Sequence, residues 1–244
     1  MLLIVLHEKR AIPAAKMLIC VRMLHQAADR QMNQNPLASA HFTLSCASLT
    51  QLPDAAVPEV AFAGRSNAGK SSALNALTAH GQLARVSKTP GRTQLINCFD
   101  VAGHGRLIDL PGYGYAKVPE AMRRSWGELV GGYLDGRDNL RGLIVLMDIR
   151  HPLTALDQQL LDWARHRDRA CHVLLTKADK LGFGTSKSTL QQVQNALKQL
   201  PMTISAQLFS STSKLGVEEA REKVIAWLAD KKMPGDSGGE SPGN

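Results

Sequence analysis

The stretch GRSNAGKSS, residues 64–72, stands between the apolar run EVAF and the segment ALNALTAH. Gly64 and Gly69 bracket Arg65, Ser66, Asn67 and Ala68, and Lys70 and Ser71 follow, which is the spacing G-x-x-x-x-G-K-S. Glycines let a backbone curl until successive N–H groups point inward around a phosphate. A lysine at this place reaches the outer phosphates, and the serine hydroxyl is a ligand for Mg2+. A helix opening near Lys70 adds its positive N-terminal end to the same cradle. A glycine turn that binds nothing is the alternative. It fits less well, because the required strand precedes the loop and the required helix follows it.

Outward from this loop, strand-like and helix-like segments alternate. Strands are expected at 59–64, 95–102, 105–112, 142–148, 171–177 and 202–209, the second and third forming a hairpin around Gly103 and Gly105. Helices are expected from Lys70, over 119–135 with Pro119 in its first turn, and over 154–167, 188–200 and 217–230. GLIVLMD reads as a parallel strand buried on both faces. The alternation predicts an α/β fold of the P-loop NTPase kind: a mostly parallel six-stranded sheet with one antiparallel strand and helices on both faces. Trp163 and Trp227 lie on the apolar faces of their helices and are expected in the core.

The chain of 244 residues is 44% hydrophobic and 20% charged, as expected for one globular domain with tails. Residues 1–40 lack sustained periodicity and read as a disordered extension, with Met32 as an alternative start. Residues 41–230 form the domain, and the Gly/Pro/Ser-rich residues 231–244 a disordered tail. No apolar run approaches the roughly 18 residues that span a bilayer. The opening MLLIVLHEKR carries its charges after its apolar patch, the reverse of a signal peptide. A cytoplasmic monomer without a membrane span is expected. Cys20, Cys46, Cys98 and Cys171 form no C-x-x-C pair, which argues against a zinc site or a disulfide framework. The net charge is +8, with +3 on residues 1–32 and +5 on the rest. That excess suits an acidic partner such as RNA, and solubility alone would also account for it.

In a sheet of this kind the ligand lies over the C-terminal strand ends, so those ends carry the next motifs. GRLIDLPGYGYA closes a strand on Asp109, followed by Leu110, Pro111 and Gly112. Such an aspartate can hold Mg2+ through a water, and the Gly112 N–H can meet a γ-phosphate. TKAD, comprising Thr176, Lys177, Ala178 and Asp179, closes another strand. The Asp179 carboxylate can accept the adjacent N1–H and N2–H2 donors of guanine, which adenine lacks, so GTP is favoured over ATP. The Lys177 stem can lie along the base plane. Thr176 stands where the motif usually has asparagine, with a hydroxyl of shorter reach. Phe209, Ser210 and Ser211 close the last strand, and their N–H groups are expected to meet the guanine O6; an ordinary turn is the other reading.

Taken together, GRSNAGKSSALNAL, SKTPGRTQLIN, DLPGYGYA, VLMDIRHP, LLTKADKL and FSS resemble the EngB/YsxC (YihA) family of bacterial GTPases, from about Phe42 to Leu228. The resemblance implies GTP and GDP binding, Mg2+ dependence, a part in assembling the large ribosomal subunit from rRNA and protein, and a need for the protein in cell division and septation. It makes the loop Gly91, Arg92, Thr93, Gln94 and Leu95 a nucleotide-responsive switch, with Thr93 a Mg2+ ligand beside Ser71. In related GTPases an asparagine at the place of Asn67 helps hold a potassium ion; here a brace for the loop is the equal alternative. Ras-like enzymes place a water-orienting glutamine where this chain has Tyr113. No catalytic group is evident, so slow hydrolysis awaiting a partner or an ion is expected. A division scaffold that merely retains a nucleotide site, or a P-loop metabolic enzyme, would be the competing functions.

Overall fold

Strand β2 (Glu59–Gly64) lies at the centre of the sheet, because every residue of EVAFAG is buried on one face or the other. The computed structural model describes residues 35–84, 95–114 and 120–230, with residues 120–125 as backbone alone. Residues 1–34, Gly91, Arg92, Thr93, Gln94, Pro119 and the tail from 231 therefore lie outside the described residues. The strands are β1 (His41–Cys46), β2, β3 (Ile96–Val101), β4 (Gly105–Asp109), β5 (Leu140–Asp148), β6 (Cys171–Thr176) and β7 (Ile204–Leu208). They stand side by side in the order β1-β3-β4-β2-β5-β6-β7. Only β3 runs against the rest, pairing antiparallel with both β1 and β4.

The seventh strand, β1, is the addition to the six expected. HFTLSC has no continuous apolar run, since as an edge strand it buries little beyond Cys46. Just before it, Pro36–Ser39 form a short turn that packs Leu37 fully into the core.

The helices are α1 (Lys70–Leu77), α2 (Glu120–Gly136), α3 (Ala155–His166), α4 (Phe183–Leu197) and α5 (Val217–Ala229). Alternation along the strands divides the core in two. Val60, Phe62, Ile144 and Leu146 face α1 and α5, where they meet Leu74, Leu77, Val224 and Leu228. Ala61, Ala63, Val145 and Met147 face the other way, toward Val130, Leu160, Leu161 and Val193 of α2, α3 and α4. Trp163 and Trp227 are partly buried against these two clusters, as expected of core residues. Helix α4 starts five residues before the expected position. The sequence GFG reads as loop, yet the buried Ser186 sends its N–H to the Gly182 carbonyl and its hydroxyl to Ala178, which starts the helix early. Cys46, Cys98 and Cys171 are buried free thiols, and burial pushes the Cys171 thiol up to about 12.

Candidate functional site

The phosphate loop leaves β2 at Gly64 and enters α1 at Lys70. Its shape is set by two left-handed residues, Asn67 at φ 64° and Gly69 at φ 93°. The Ser66 N–H donates to the Tyr113 carbonyl (2.6 Å) and the Ala68 N–H to the Arg65 carbonyl (2.9 Å), so the loop is braced from within and from the segment that follows β4. The phosphate cradle then falls to the N–H groups of Asn67, Gly69 and the first turn of α1, which a helix start leaves without carbonyl partners. A cavity of about 950 Å3 opens over this loop, lined also by Asp109, Leu110, Pro111, Gly112 and Leu95. The Lys70 ammonium sits directly on the Asp109 carboxylate, both side chains largely buried. Asp109 also accepts a hydrogen bond from Asn97 (3.2 Å).

A second cavity of about 200 Å3, lined by Thr176, Lys177, Asp179, Phe209 and Ser211, shares Gly69 and Ser72 with the first. The two halves are tied through buried bonds. The Thr176 hydroxyl lies 2.6 Å from the Ala68 carbonyl and 3.1 Å from that of Met147. One hydroxyl proton serves one acceptor at a time, and the shorter contact goes to the phosphate loop. The shorter side chain at this place therefore still reaches the neighbouring loop. Lys177 stretches across the same loop, donating to the Asn67 carbonyl (2.7 Å) and to Asp148 at the end of β5 (2.9 Å). Arg150 grips Asp148 through two guanidinium nitrogens. Arg150 and then Lys177 hold the Asp148 carboxyl well below the usual carboxylate range, so the pin on Lys177 stays ionised at neutral pH.

Asp179 is aimed by Ser210, whose hydroxyl donates to its carboxylate at 2.6 Å. That bond, and Lys180 beside it, lower the carboxyl's proton affinity and keep it an acceptor. The closing segment of β7 departs from the expected geometry. The Phe209 N–H is committed to the Leu175 carbonyl (2.9 Å) and the Ser210 N–H to the Leu215 carbonyl (2.9 Å). Phe209 is a core residue that also borders the cavity, Ser210 works through its hydroxyl, and Ser211 lines the cavity with its N–H in none of the backbone bonds of this segment.

Residues 59–177 match the family described as 50S ribosome-binding GTPase. Proteins named "Probable GTP-binding protein EngB" from Escherichia coli strain K12 and from Shigella boydii serotype 18 are each 54% identical to this chain over 190 residues, 78% of this chain and 90% of theirs. This chain belongs to the EngB family of GTP-binding proteins.

Its fold is shared with solved structures at lower identity. A crystal structure of a probable GTP-binding protein EngB superposes with TM-score 0.57 at 22% identity, covering 70% of this chain and 98% of that one. Era, solved with MgGDPNP and nucleotides 1506–1542 of 16S ribosomal RNA, gives TM-score 0.56 at 20% identity, covering 72% and 58%. As a member of the EngB family the protein is a P-loop enzyme that binds and hydrolyses GTP. No helix among the described residues is long and apolar enough to cross a membrane.

In this EngB-family site Tyr113, which follows the Asp109–Gly112 motif, is turned away from the cavity. It is buried, donates to Asp157 at 2.8 Å, and packs tilted against Trp126, whose ring centroid is 5.2 Å away. Asp157 also caps α3 by accepting from the Thr154 N–H (2.9 Å), and the Trp126 N–H reaches the Pro111 carbonyl (2.8 Å). Asn97, Asp148 and Asp157 were not singled out in the sequence. Only Asp148 carried a signal: it closes a fully apolar strand at its C-terminal end, where such sheets place ligand chemistry.

Proposed function

We propose that this chain is a GTP-switched assembly factor of the large ribosomal subunit, needed for normal cell division and septation and working as a cytoplasmic monomer. The observation that carries guanine recognition is the Asp179 carboxylate, held ionised by Ser210 in a cavity joined to the phosphate loop. Two acceptor oxygens there suit the adjacent donors of guanine, and the Ser211 N–H is the group for the base oxygen. Lys177, its ammonium pinned between the Asn67 carbonyl and Asp148, lies along the base plane. The loop N–H groups and Lys70 take the phosphates.

The donor set also suits Mg2+. The larger cavity brings the Ser71 hydroxyl and the Asp109 carboxylate together, both hard oxygen donors, and Asp109 already draws a cation, the Lys70 ammonium. Ser71 and Thr93 would hold the ion and Asp109 would hold it through a water; the ion would supply positive charge beside the outer phosphates. Tyr113 points into the core, so it is not in place to orient an attacking water beside Gly112. Hydrolysis is accordingly slow until a ribosomal partner or an ion completes the site.

The ribosomal role rests on the match to a family described as 50S ribosome-binding, and on the net charge of +8. Over residues 35–84, 95–114 and 126–230 Lys and Arg balance Asp and Glu one for one, so the positive excess belongs to the remaining segments. The decisive experiments are two. Asp179→Asn should lose GTP affinity by about tenfold or more and gain affinity for xanthosine triphosphate, which offers a carbonyl where guanine offers its amino group; unchanged GTP affinity sinks the assignment. Co-sedimentation with the large ribosomal subunit should differ between a GTP analogue and GDP. Equal or absent binding in both states favours a division scaffold instead.

A further inference from the structure

The geometry points to Asn97 as a positioning residue that sets the direction of the Asp109 carboxylate, with Ser45 bracing the far end of the Asn97 amide. Ser45 stands directly opposite Asn97 across β1 and β3, and Asn97 directly opposite Asp109 across β3 and β4. Residues so paired share a face of the sheet, and all three border the larger cavity. The row is joined end to end. The Ser45 hydroxyl donates to Asn97 Oδ1 at 2.6 Å, Asn97 Nδ2 donates to Asp109 Oδ2 at 3.2 Å, and Asp109 Oδ1 carries the Lys70 ammonium.

Each link supports the next. An amide can turn over and exchange its donor and acceptor ends, and either end fits the same space. The Asp109 carboxylate, which can only accept, removes that freedom by requiring the NH2 on its side, and the amide oxygen so turned accepts the Ser45 proton. The NH2 in turn occupies one carboxylate oxygen, which leaves the other facing the cation. Elsewhere on this face β3 carries Phe99 and Val101, both buried, whereas Asn97 is a half-buried polar residue of low strand preference at the cavity wall. A packing role alone would be served better by valine or isoleucine. The row reaches the site from the edge strand β1, which has no other link to the phosphate loop among the hydrogen bonds of the described residues.

The inference rests on the reading of Asp109 as the aspartate that answers to Mg2+. In that reading Oδ1 faces Lys70 or the ion, and Asn97 keeps the carboxylate plane from rotating between them. Groups that orient a metal-linked carboxylate typically govern 10–100-fold in metal affinity, as an order of magnitude.

The test measures affinity for a fluorescent GDP analogue in excess Mg2+ and in EDTA, using the full chain. The ratio of the two is the gain due to the metal. Asn97→Ala is expected to cut that ratio about tenfold while moving the EDTA affinity by less than about twofold. The exposed Ser45 supplies a variant that leaves the core untouched: Ser45→Ala should cut the ratio about threefold, and Ser45→Thr, which keeps the hydroxyl, should restore it. A ratio unchanged in Asn97→Ala overturns the inference. So does an equal fall in both conditions with a lowered melting temperature, which would make Asn97 a strut of the fold. A wild-type chain that binds GDP without any gain from Mg2+ removes the metal from the function above, and this inference with it. A chain that binds GDP in neither condition fails at nucleotide binding itself.

Discussion

Gly64 and Gly69 open and close the same loop for different physical reasons. A Cβ on Gly64 would stand 2.8 Å from the Leu146 carbonyl oxygen and 3.1 Å from its Cβ, so this glycine is required by the approach of β5 to β2. A Cβ on Gly69 would meet nothing closer than 3.8 Å, yet its φ of 93° strains any other residue. The motif's spacing places both glycines and cannot tell these reasons apart. Gly64→Ala should therefore destabilise the whole domain by about 1–3 kcal/mol, read as a lower urea midpoint. Gly69→Ala should cost about 1 kcal/mol of stability and show its larger effect in nucleotide affinity. Asn67 adopts the left-handed conformation in which asparagine is well tolerated, and this accounts for the residue without any ion. Asn67→Gly keeps that backbone and deletes the amide, so it separates the two readings. If the amide serves potassium, hydrolysis is faster in potassium than in sodium for the wild type and equal for the glycine variant. Equal rates for both chains leave Asn67 as a conformational residue.

At the level of elements, β6 and β7 are joined by a buried polar bridge that periodicity does not disclose. His172 is buried, with Ser205 Oγ 2.7 Å from Nδ1 and Gln207 Oε1 2.8 Å from Nε2. Gln207 donates its own NH2 to the Gly216 carbonyl, so its oxygen can only accept. His172 Nε2 therefore carries a proton, and burial, which disfavours a second one, leaves Nδ1 to accept from Ser205. Burial pulls the imidazole below its ordinary value, whereas the unfolded chain takes up a proton near pH 6.5. Stability contributed by the neutral ring is thus present above pH about 6.5 and declines as pH falls below it, because the unfolded state binds the proton first. Urea unfolding at pH 7 and 5.5 should show a larger loss for the wild type than for His172→Gln; equal losses would remove this role. Between α2 and α3 the matching device is Tyr113 on Asp157. Tyr113→Phe should cost about 1 kcal/mol and change the fluorescence of Trp126, which packs against the ring.

For the whole molecule, the two cavities share one loop, so a guanine nucleotide should stabilise the domain as a unit. At a hundredfold excess over its dissociation constant GDP contributes about 2.7 kcal/mol, a rise in melting temperature of about 5–10 °C for a domain of this size. ATP at the same concentration should leave the melting temperature in place, and an equal rise with ATP would contradict the role of Asp179. A chain beginning at Met32 should melt at the same temperature and bind GDP equally well, since residues 1–31 show no apolar periodicity to bury. Calorimetry of the two chains side by side checks this.

By itself the sequence determined the class of fold, the phosphate-loop motif and the order of the motifs along the sheet, and it raised Asp179 as the base-reading candidate. These depend on local patterns: apolar runs, glycine spacing and residues that follow strand ends within a few positions. Tertiary structure alone decided which residues hold those motifs in place. Ser45, Asn97 and Asp109 are neighbours only through strand pairing, Thr176 meets Ala68 across more than a hundred residues of chain, and Tyr113 finds Asp157 only once α3 packs. Such contacts leave no period in the chain, because a hydrogen bond between distant segments depends on register and packing, which no window of sequence contains. The same holds for β1, whose polar alternation becomes a strand only because the edge of β3 is there to pair with it.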